Sequence, residues 1–309
     1  MVRFPAAATI SVLLVGAAIA LRAIGLGYGL PAVFNPDEVA IMSRALSFAK
    51  GTLNPENFLY PTFYFYVLFG WVGTYLGALW ASGSVQSIAE LQQVYFRDPT
   101  GIYLAGRSLS VVAGATTVVL VRSLGRRMID GRTATAAAIF LAVAPLHVRD
   151  SHYVKHDVFA TMLVVAAYLA VSRVWKGEPS GGRKTSAVVL AGAACGVAFS
   201  THYYCIFLAL PLSWAIVLAW RSRGWGAVLR HLVIAGVASA ATFFLLSPFI
   251  ALDPLTAWRD ITANREIVVD RAVATGAFRP VWRYLQMLWQ DAISPPIVGL
   301  GLIGALWMV

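Results

Sequence analysis

Apolar residues run without interruption at about 7–27, 61–81, 102–121, 133–148, 157–175, 187–203, 205–220, 232–251 and 295–309. Polar and charged residues gather in the short stretches between them. Crossing a ~30 Å hydrocarbon core takes about 20 helical residues, and several of these runs meet that length. The alternation of a membrane barrel is absent. Lipid offers no partner to a loose backbone N–H, so the spans are predicted to be helices. The pattern therefore predicts an all-α polytopic membrane protein.

Composition strengthens that reading. Hydrophobic residues make up 59% of the 309 positions and charged residues only 12%, with a mean hydropathy of +0.72. A soluble domain carries roughly 25% charged residues. The net charge of +10 does not point to nucleic acid, because the basic residues sit in short loops and not on one continuous face. Cys195 and Cys205 both fall in apolar runs, where a reduced buried thiol is the ordinary state. No small-residue cleavage site follows the first run, which reads as a retained helix.

The charges also set a topology. One group of loops holds Arg3, Arg122, Arg126, Arg127, Arg132, Lys176, Arg183, Lys184, Arg221, Arg223 and Arg230, which is eleven basic residues against the two acids Asp130 and Glu178. The remaining loops hold ten basic residues and the other twelve acids. By the positive-inside rule the first group is cytoplasmic, with the N-terminus. Parity then requires that 61–81 not cross the bilayer, or Arg122 to Arg132 would fall outside. Its rings, among them Phe63, Tyr64, Phe69, Trp71 and Trp80, suit headgroup depth. The expected order is spans at 7–27, 102–121, 133–148, 157–175, 187–203, 205–220 and 232–251, forming one core over 1–251. A first outer loop over 28–101 carries the interfacial helix 61–81. A second outer segment covers 252–294, and 295–309 begins a further membrane helix. That run ends at Val309 without a polar flank, so more helices are expected beyond it.

Two polar clusters carry candidate chemistry. The first is Asn35-Pro36-Asp37-Glu38, just past the first span. Pro36 keeps residue 35 extended and lets a helix start near Asp37. Both acids also suit a first helical turn, so on residues alone they read equally as helix starters or as reacting groups. The second cluster is Ser151-His152-Tyr153-Val154-Lys155-His156-Asp157, which falls on the same side as Asp37. Capping of a helix by Asp157 needs fewer titratable groups than this loop holds. Arg107 lies inside a span, where an isolated guanidinium costs roughly 2.5–3.5 kcal/mol or more. Thr201-His202 marks a turn on the same face as both clusters. Cations suit a phosphate, and carboxylates suit deprotonation of a hydroxyl or a divalent metal, for which no ligand set is specified. The aromatic stretch Phe58 to Trp80 offers a surface for an acyl or prenyl chain.

In order along 1–255, the Pro36-Asp37-Glu38 motif, Tyr60-Pro61-Thr62-Phe63-Tyr64-Phe65-Tyr66, Arg107-Ser108-Leu109-Ser110, Leu124-Gly125-Arg126-Arg127, Ala144-Pro145 and Asp157 resemble the GT-C glycosyltransferases. The closest subgroup is the protein O-mannosyltransferase and lipid A aminoarabinose transferase superfamily. The resemblance implies inverting transfer from a polyprenyl-phosphate-linked sugar to a lipid, protein or polysaccharide acceptor hydroxyl. It makes Asp37 the base, Glu38 its neighbour, Asp157 the second outer-loop acid and Arg107 the arginine found in that helix. Three departures stand out. Ala40 replaces an arginine, Tyr60 a lysine, and His202 the lysine of a Thr-Lys pair.

The reading that results is a multi-pass plasma-membrane glycosyltransferase with its active site on the outer face. Asp37, Glu38 and Asp157 are the catalytic candidates, and Lys155, His156, His202, Arg107, His152 and Tyr60 the donor-phosphate candidates. Lys155, His202 and Arg107 are expected to be the cations that meet the leaving phosphate. The alternative is a secondary transporter or lipid flippase using Asp37, Asp157 and Arg107 as an ion relay. The absence of repeats argues against it.

Overall fold

The computed structural model describes residues 6–176, 185–273 and 279–292, with Pro295, Gly299 and Ile303 beyond them. Every described element is a helix. In chain order they are α1 (Ala6–Ala23), α2 (Pro36–Ser47), α3 (Phe63–Ala81), α4 (Ile88–Arg97), α5 (Thr100–Met128), α6 (Gly131–Val143), α7 (Pro145–Asp150), α8 (His156–Lys176), α9 (Thr185–Phe199), α10 (Ala209–Trp220), α11 (Trp225–Leu246), α12 (Phe249–Leu252), α13 (Pro254–Val273) and α14 (Arg279–Met287). A tight helical stretch, Tyr203–Leu208, leads into α10.

Five of these stretches are long and apolar enough to cross a membrane, namely Phe63–Ala81, Thr100–Met128, His156–Lys176, Tyr203–Arg223 and Trp225–Leu246. Thr9–Ala23, Gly131–Val143 and Thr185–Phe199 are shorter apolar helices. Each of the seven predicted spans coincides with a helix, four of them among these five and three of them shorter, while Phe63–Ala81, expected to lie along the interface, is itself long and apolar enough to cross; the chain is an integral membrane protein. Several boundaries move, two of them for reasons the structure makes plain. The third predicted span stops at Val143 because Pro145 forces Ala144 into the extended region, with φ −61° and ψ 118°. The seventh starts at Trp225, seven residues before its predicted start at 232. Arg230-His231 looked like a polar boundary, yet the His231 ring stacks on Trp220 at 4.1 Å and bonds Ala227 O and Thr185 Oγ1. The predicted run 295–309 lies outside the described residues apart from three positions.

α5 is the axis of the first half of the bundle, flanked by α1, α3, α6 and α8. Lipid supplies no hydrophobic drive between helices, so close approach of small residues does the packing. Ala18, Ala115, Val118, Ala138 and Ala142 form one such contact. In the second half, Gly192 and Gly196 lie against α11, and a Cβ there would run into Ala235 O and Ser239 O.

The two ends of the bundle differ. At one end Arg122 Nη1 donates to Ser11 Oγ (2.7 Å), which joins the start of α1 to the basic end of α5. At the other end α2, the start of α8 and the 52–62 loop assemble over a second apolar core that includes Met42, Phe48, Tyr64, Leu68, Tyr103 and Val158. The predicted second outer segment contributes here. Asp260 Oδ2 accepts from Phe58 N (2.9 Å), Asn264 Nδ2 donates to Leu59 O (3.1 Å) and Asn54 Nδ2 donates to Asp253 Oδ2 (3.1 Å). These bonds fix the loop that presents Tyr60.

Candidate active site

The adjacent acids of α2 have opposite fates. Asn35 caps the helix, its Oδ1 accepting from Asp37 N at 3.1 Å, and Pro36 takes the first helical position. One residue turns a helix by about 100°, so Asp37 and Glu38 point in different directions. Asp37 remains 61% exposed, and its Oδ2 lies 2.7 Å from Lys155 Nζ. Glu38 is fully buried. Its oxygens receive Arg107 Nε (2.9 Å) and Nη2 (2.8 Å), and Oε1 also receives Val154 N (2.8 Å). Arg107 Nη1 in turn donates to Leu26 O (2.6 Å) and Tyr28 O (2.9 Å). The costly charge noted inside the span is therefore matched by a carboxylate with paired hydrogen bonds.

The loop between α7 and α8 is pinned at several points. Val154 N meets Glu38, Ser110 Oγ donates to Tyr153 O (2.7 Å), and His152 Nε2 lies 2.7 Å from Ile24 O. Lys155 is thereby held at Asp37. Burial opposes its charge, but the Asp37 hydrogen bond and carboxylate outweigh burial and raise its pKa above the ordinary value.

Beside this pair stands a box of rings. The Tyr60 ring centroid is 4.1 Å from that of His156 and 5.2 Å from that of His202, and the two imidazoles are 5.0 Å apart. His156 is 5% exposed, and neither of its ring nitrogens has a hydrogen-bond partner among the described residues. Asp157 Oδ1 is 3.9 Å from His156 Nε2. Potential ligand atoms of His156, Asp157 and His202 all lie within 4.8 Å of one another. His202 does not stand there as a cation at neutral pH, because burial and then the neighbouring His156 push its pKa down to about 4. The expectation of an imidazolium at 202 is corrected accordingly.

Arg22 was not singled out from the sequence, although a lone charge inside the first apolar run was the available signal. It is fully buried, and Nη1 donates to Ala18 O (3.0 Å) and Ala142 O (3.2 Å). Nη2 donates to Leu141 O (3.3 Å) and His147 Nδ1 (2.9 Å). The guanidinium thus caps the C-terminal, negative end of α6. Burial, then Arg22, lowers the His147 pKa to about 4, which leaves an uncharged ring able to accept that bond. Asp260 and Asn264, which hold the Tyr60 loop, were also not legible in advance.

Residues 103–251 match the family described as dolichyl-phosphate-mannose-protein mannosyltransferase. The fold is similar to that of the S. cerevisiae protein O-mannosyltransferase Pmt1-Pmt2 complex bound to the sugar donor. That likeness has a TM-score of 0.56 and 19% identity over 83% of this chain and 35% of the other. It is also similar to the archaeal oligosaccharyltransferase AglB from Archaeoglobus fulgidus, in complex with an inhibitory peptide and a dolichol-phosphate. There the TM-score is 0.53 and the identity 16%, over 98% of this chain and 37% of the other. The chain thus spans little more than a third of either solved chain's length. No curated protein matches it in sequence. The chain thus carries a match to the mannosyltransferase family over residues 103–251, on a fold similar to that of these two membrane glycosyltransferases.

Proposed function

We propose that the chain transfers a sugar, with inversion, from a polyprenyl-phosphate-linked donor to an acceptor hydroxyl on the membrane face opposite its N-terminus. The observation that carries this is the division of labour in Asp37-Glu38. Glu38 is fully used in anchoring Arg107 and Val154, whereas Asp37 is exposed beside a charged lysine. Asp37 takes the proton of the acceptor hydroxyl as its oxygen attacks the anomeric carbon. The bond from that carbon to the phosphate oxygen breaks, and its electron pair leaves with the lipid phosphate. Lys155 offsets the charge that develops there. Arg107, with its bonds directed to Glu38 and two carbonyls, holds the frame in this reading and does not meet the phosphate. The same bonds leave the ion-relay alternative without its central arginine.

Two neighbours in fold support the donor class, one being bound to a sugar donor and the other to a dolichol-phosphate and a peptide. An apolar cavity of about 530 Å³ between α9, α10 and α11 begins at Phe199, Cys205 and Ile206, a few residues from His202, and suits part of a prenyl chain. The orientation rests on the charge asymmetry together with the Ser11–Arg122 contact, which places the N-terminal end of α1 at the basic end of the bundle. α3 packs along the first turns of α5, with Trp71 Nε1 donating to Ala105 O and Ser108 Oγ and Tyr75 abutting Gly101, and its interfacial reading rests on charge parity.

The test is Asp37→Asn in the full-length protein with labelled polyprenyl-phosphate sugar. Transfer should disappear while melting and gel-filtration behaviour stay normal, because an exposed ion pair contributes only about 0–1 kcal/mol. Turnover close to that of the parent would remove Asp37 from the role of base.

A further inference from the structure

We infer that a pocket beside the start of α2, walled by Tyr28, Phe34 and Tyr153, binds a neutral sugar ring, so that the acceptor is a carbohydrate. The inference rests on the reading of Asp37 as the base and adds the class of acceptor to it. The pocket measures about 340 Å³ and is completed by Asn35, Pro36 and Arg107. That volume is at the lower end of the range for small-molecule sites. Asn35 and Pro36 lead directly into Asp37, whose backbone N donates to Asn35 Oδ1 at 3.1 Å. A ligand seated here is therefore next to the proposed base.

The segment that carries two of the three rings is built rigidly. Turn bonds run from Tyr28 N to Gly25 O (2.9 Å), from Leu30 N to Gly27 O (3.1 Å) and from Val33 N to Gly29 O (3.0 Å). Arg107 Nη1 fastens the carbonyls of Leu26 and Tyr28 from below. Gly29 has φ +77°, and a Cβ there would run into the Phe34 ring. Val33 is held at φ 49°, a region that β-branched residues avoid unless their surroundings impose it. What this strained turn holds in place is a pair of exposed rings. Tyr28 is 66% and Phe34 69% exposed, and they meet edge to face with centroids 6.1 Å apart. Tyr153 stands across the pocket, its ring 6.0 Å from the Arg107 guanidinium.

The polar lining decides the charge of the ligand. Among the lining residues only Arg107 is ionic, and Glu38 matches its charge at 2.8 Å. A phosphate, carboxylate or ammonium group finds no free counter-charge here. Hydroxyl and amide groups do remain, because no hydrogen bond joins Tyr28 Oη, Tyr153 Oη or Asn35 Nδ2 to a described residue. Aromatic faces beside such donors fit a pyranose. The C–H bonds on a sugar face carry partial positive charge and pack on electron-rich rings, while the sugar hydroxyls take the hydrogen bonds. Contact with the membrane alone accounts for exposed rings at headgroup depth. It does not account for the strain at Val33 or for the three donors gathered around one cavity.

The experiment uses the full-length protein in lipid nanodiscs. Saturation-transfer NMR is recorded with the methyl glycosides of glucose, mannose and galactose, and with methyl glucuronide as the charged comparison. At least one neutral glycoside should bind, and the glucuronide should bind less well. Tyr28→Ala and Phe34→Ala should each weaken the neutral ligand at least tenfold. Both rings are exposed, so neither truncation should unfold the protein. Phe96→Ala, which removes an 83% exposed ring from α4, should leave binding unchanged. Labelled polyprenyl-phosphate sugar is then offered with a short neutral oligosaccharide or with a serine- and threonine-containing peptide. The oligosaccharide should accept the label, and its KM should rise at least tenfold in both variants while the Kd of the donor stays constant. The inference is overturned if no neutral glycoside binds, or if both variants bind like the parent. It is also overturned if the peptide alone is glycosylated, with parental KM in both variants, an outcome that leaves the transfer reading standing. Glycoside binding that depends on Tyr28 and Phe34, without transfer to any acceptor, would count against the transfer reading and leave the sugar site in place.

Discussion

Replacing Glu38 with glutamine separates its role from that of Asp37. The substitution keeps the shape and removes the charge. Arg107 is 1% exposed and would be left without a counter-charge. One of its two contacts, at 2.9 and 2.8 Å, would now face an amide N–H₂. Breaking one side of a buried pair in this way costs about 3–5 kcal/mol. At roughly 2 °C per kcal/mol for a chain of this size, the melting temperature in detergent should fall by about 6–10 °C. The Val154 bond is weakened at the same time, so Lys155 loses its placement and transfer should fall as well. Pairing Glu38→Leu with Arg107→Met removes the stranded charge but leaves Leu26 O, Tyr28 O and Val154 N unserved, each worth about 1–3 kcal/mol. The double variant should therefore recover part of the stability and no more. Scanning fluorimetry on the three proteins reads this out. A Glu38→Gln protein that melts within 1 °C or so of the parent would show that the pair does not hold the frame.

Lys155→Ala should lower turnover and weaken donor binding by about 10- to 150-fold, the equivalent of roughly 1.5–3 kcal/mol for one charge-assisted contact, and Lys155→Arg should restore part of both. Unchanged donor affinity with poorer use of acceptor would move Lys155 to the acceptor side. A cysteine at position 84 should react from outside the cell with an impermeant thiol reagent, and one at 123 only after permeabilisation. Both native thiols are buried and give little background. Labelling at 84 only after permeabilisation would mean that α3 crosses the membrane.

The long apolar helices were legible in the sequence because lipid demands them, and they leave their mark in composition alone. Their ends were harder to read. Ala144-Pro145 carried a break signal that hydropathy overrode, and Arg230-His231 imitated a boundary because a histidine stacked on Trp220 looks polar until its partner is known. Both acid clusters stood out as candidates, but their roles could not be separated. Asp37 and Glu38 differ by one residue in sequence and by a third of a turn in space, and only the position of Arg107 decides which is buried. The meeting of His156 with His202 depends on how α8 packs beside the end of α9, a tertiary relation with no local signature. Arg22 escaped notice because all but one of its acceptors are backbone carbonyls, which every sequence has everywhere.

Arg22 also imposes an order on assembly. In the finished bundle it leans on carbonyls of α6, 119 and 120 positions further along the chain. Before α6 has been synthesised, only Ala18 O within its own helix is in reach, and a guanidinium near the end of an isolated apolar helix must otherwise reach for the interface. The membrane thus holds α1 loosely at first and firmly only when α6 arrives. Insertion and tertiary folding, which in many helical membrane proteins can be treated as independent stages, are for α1 linked through this one side chain.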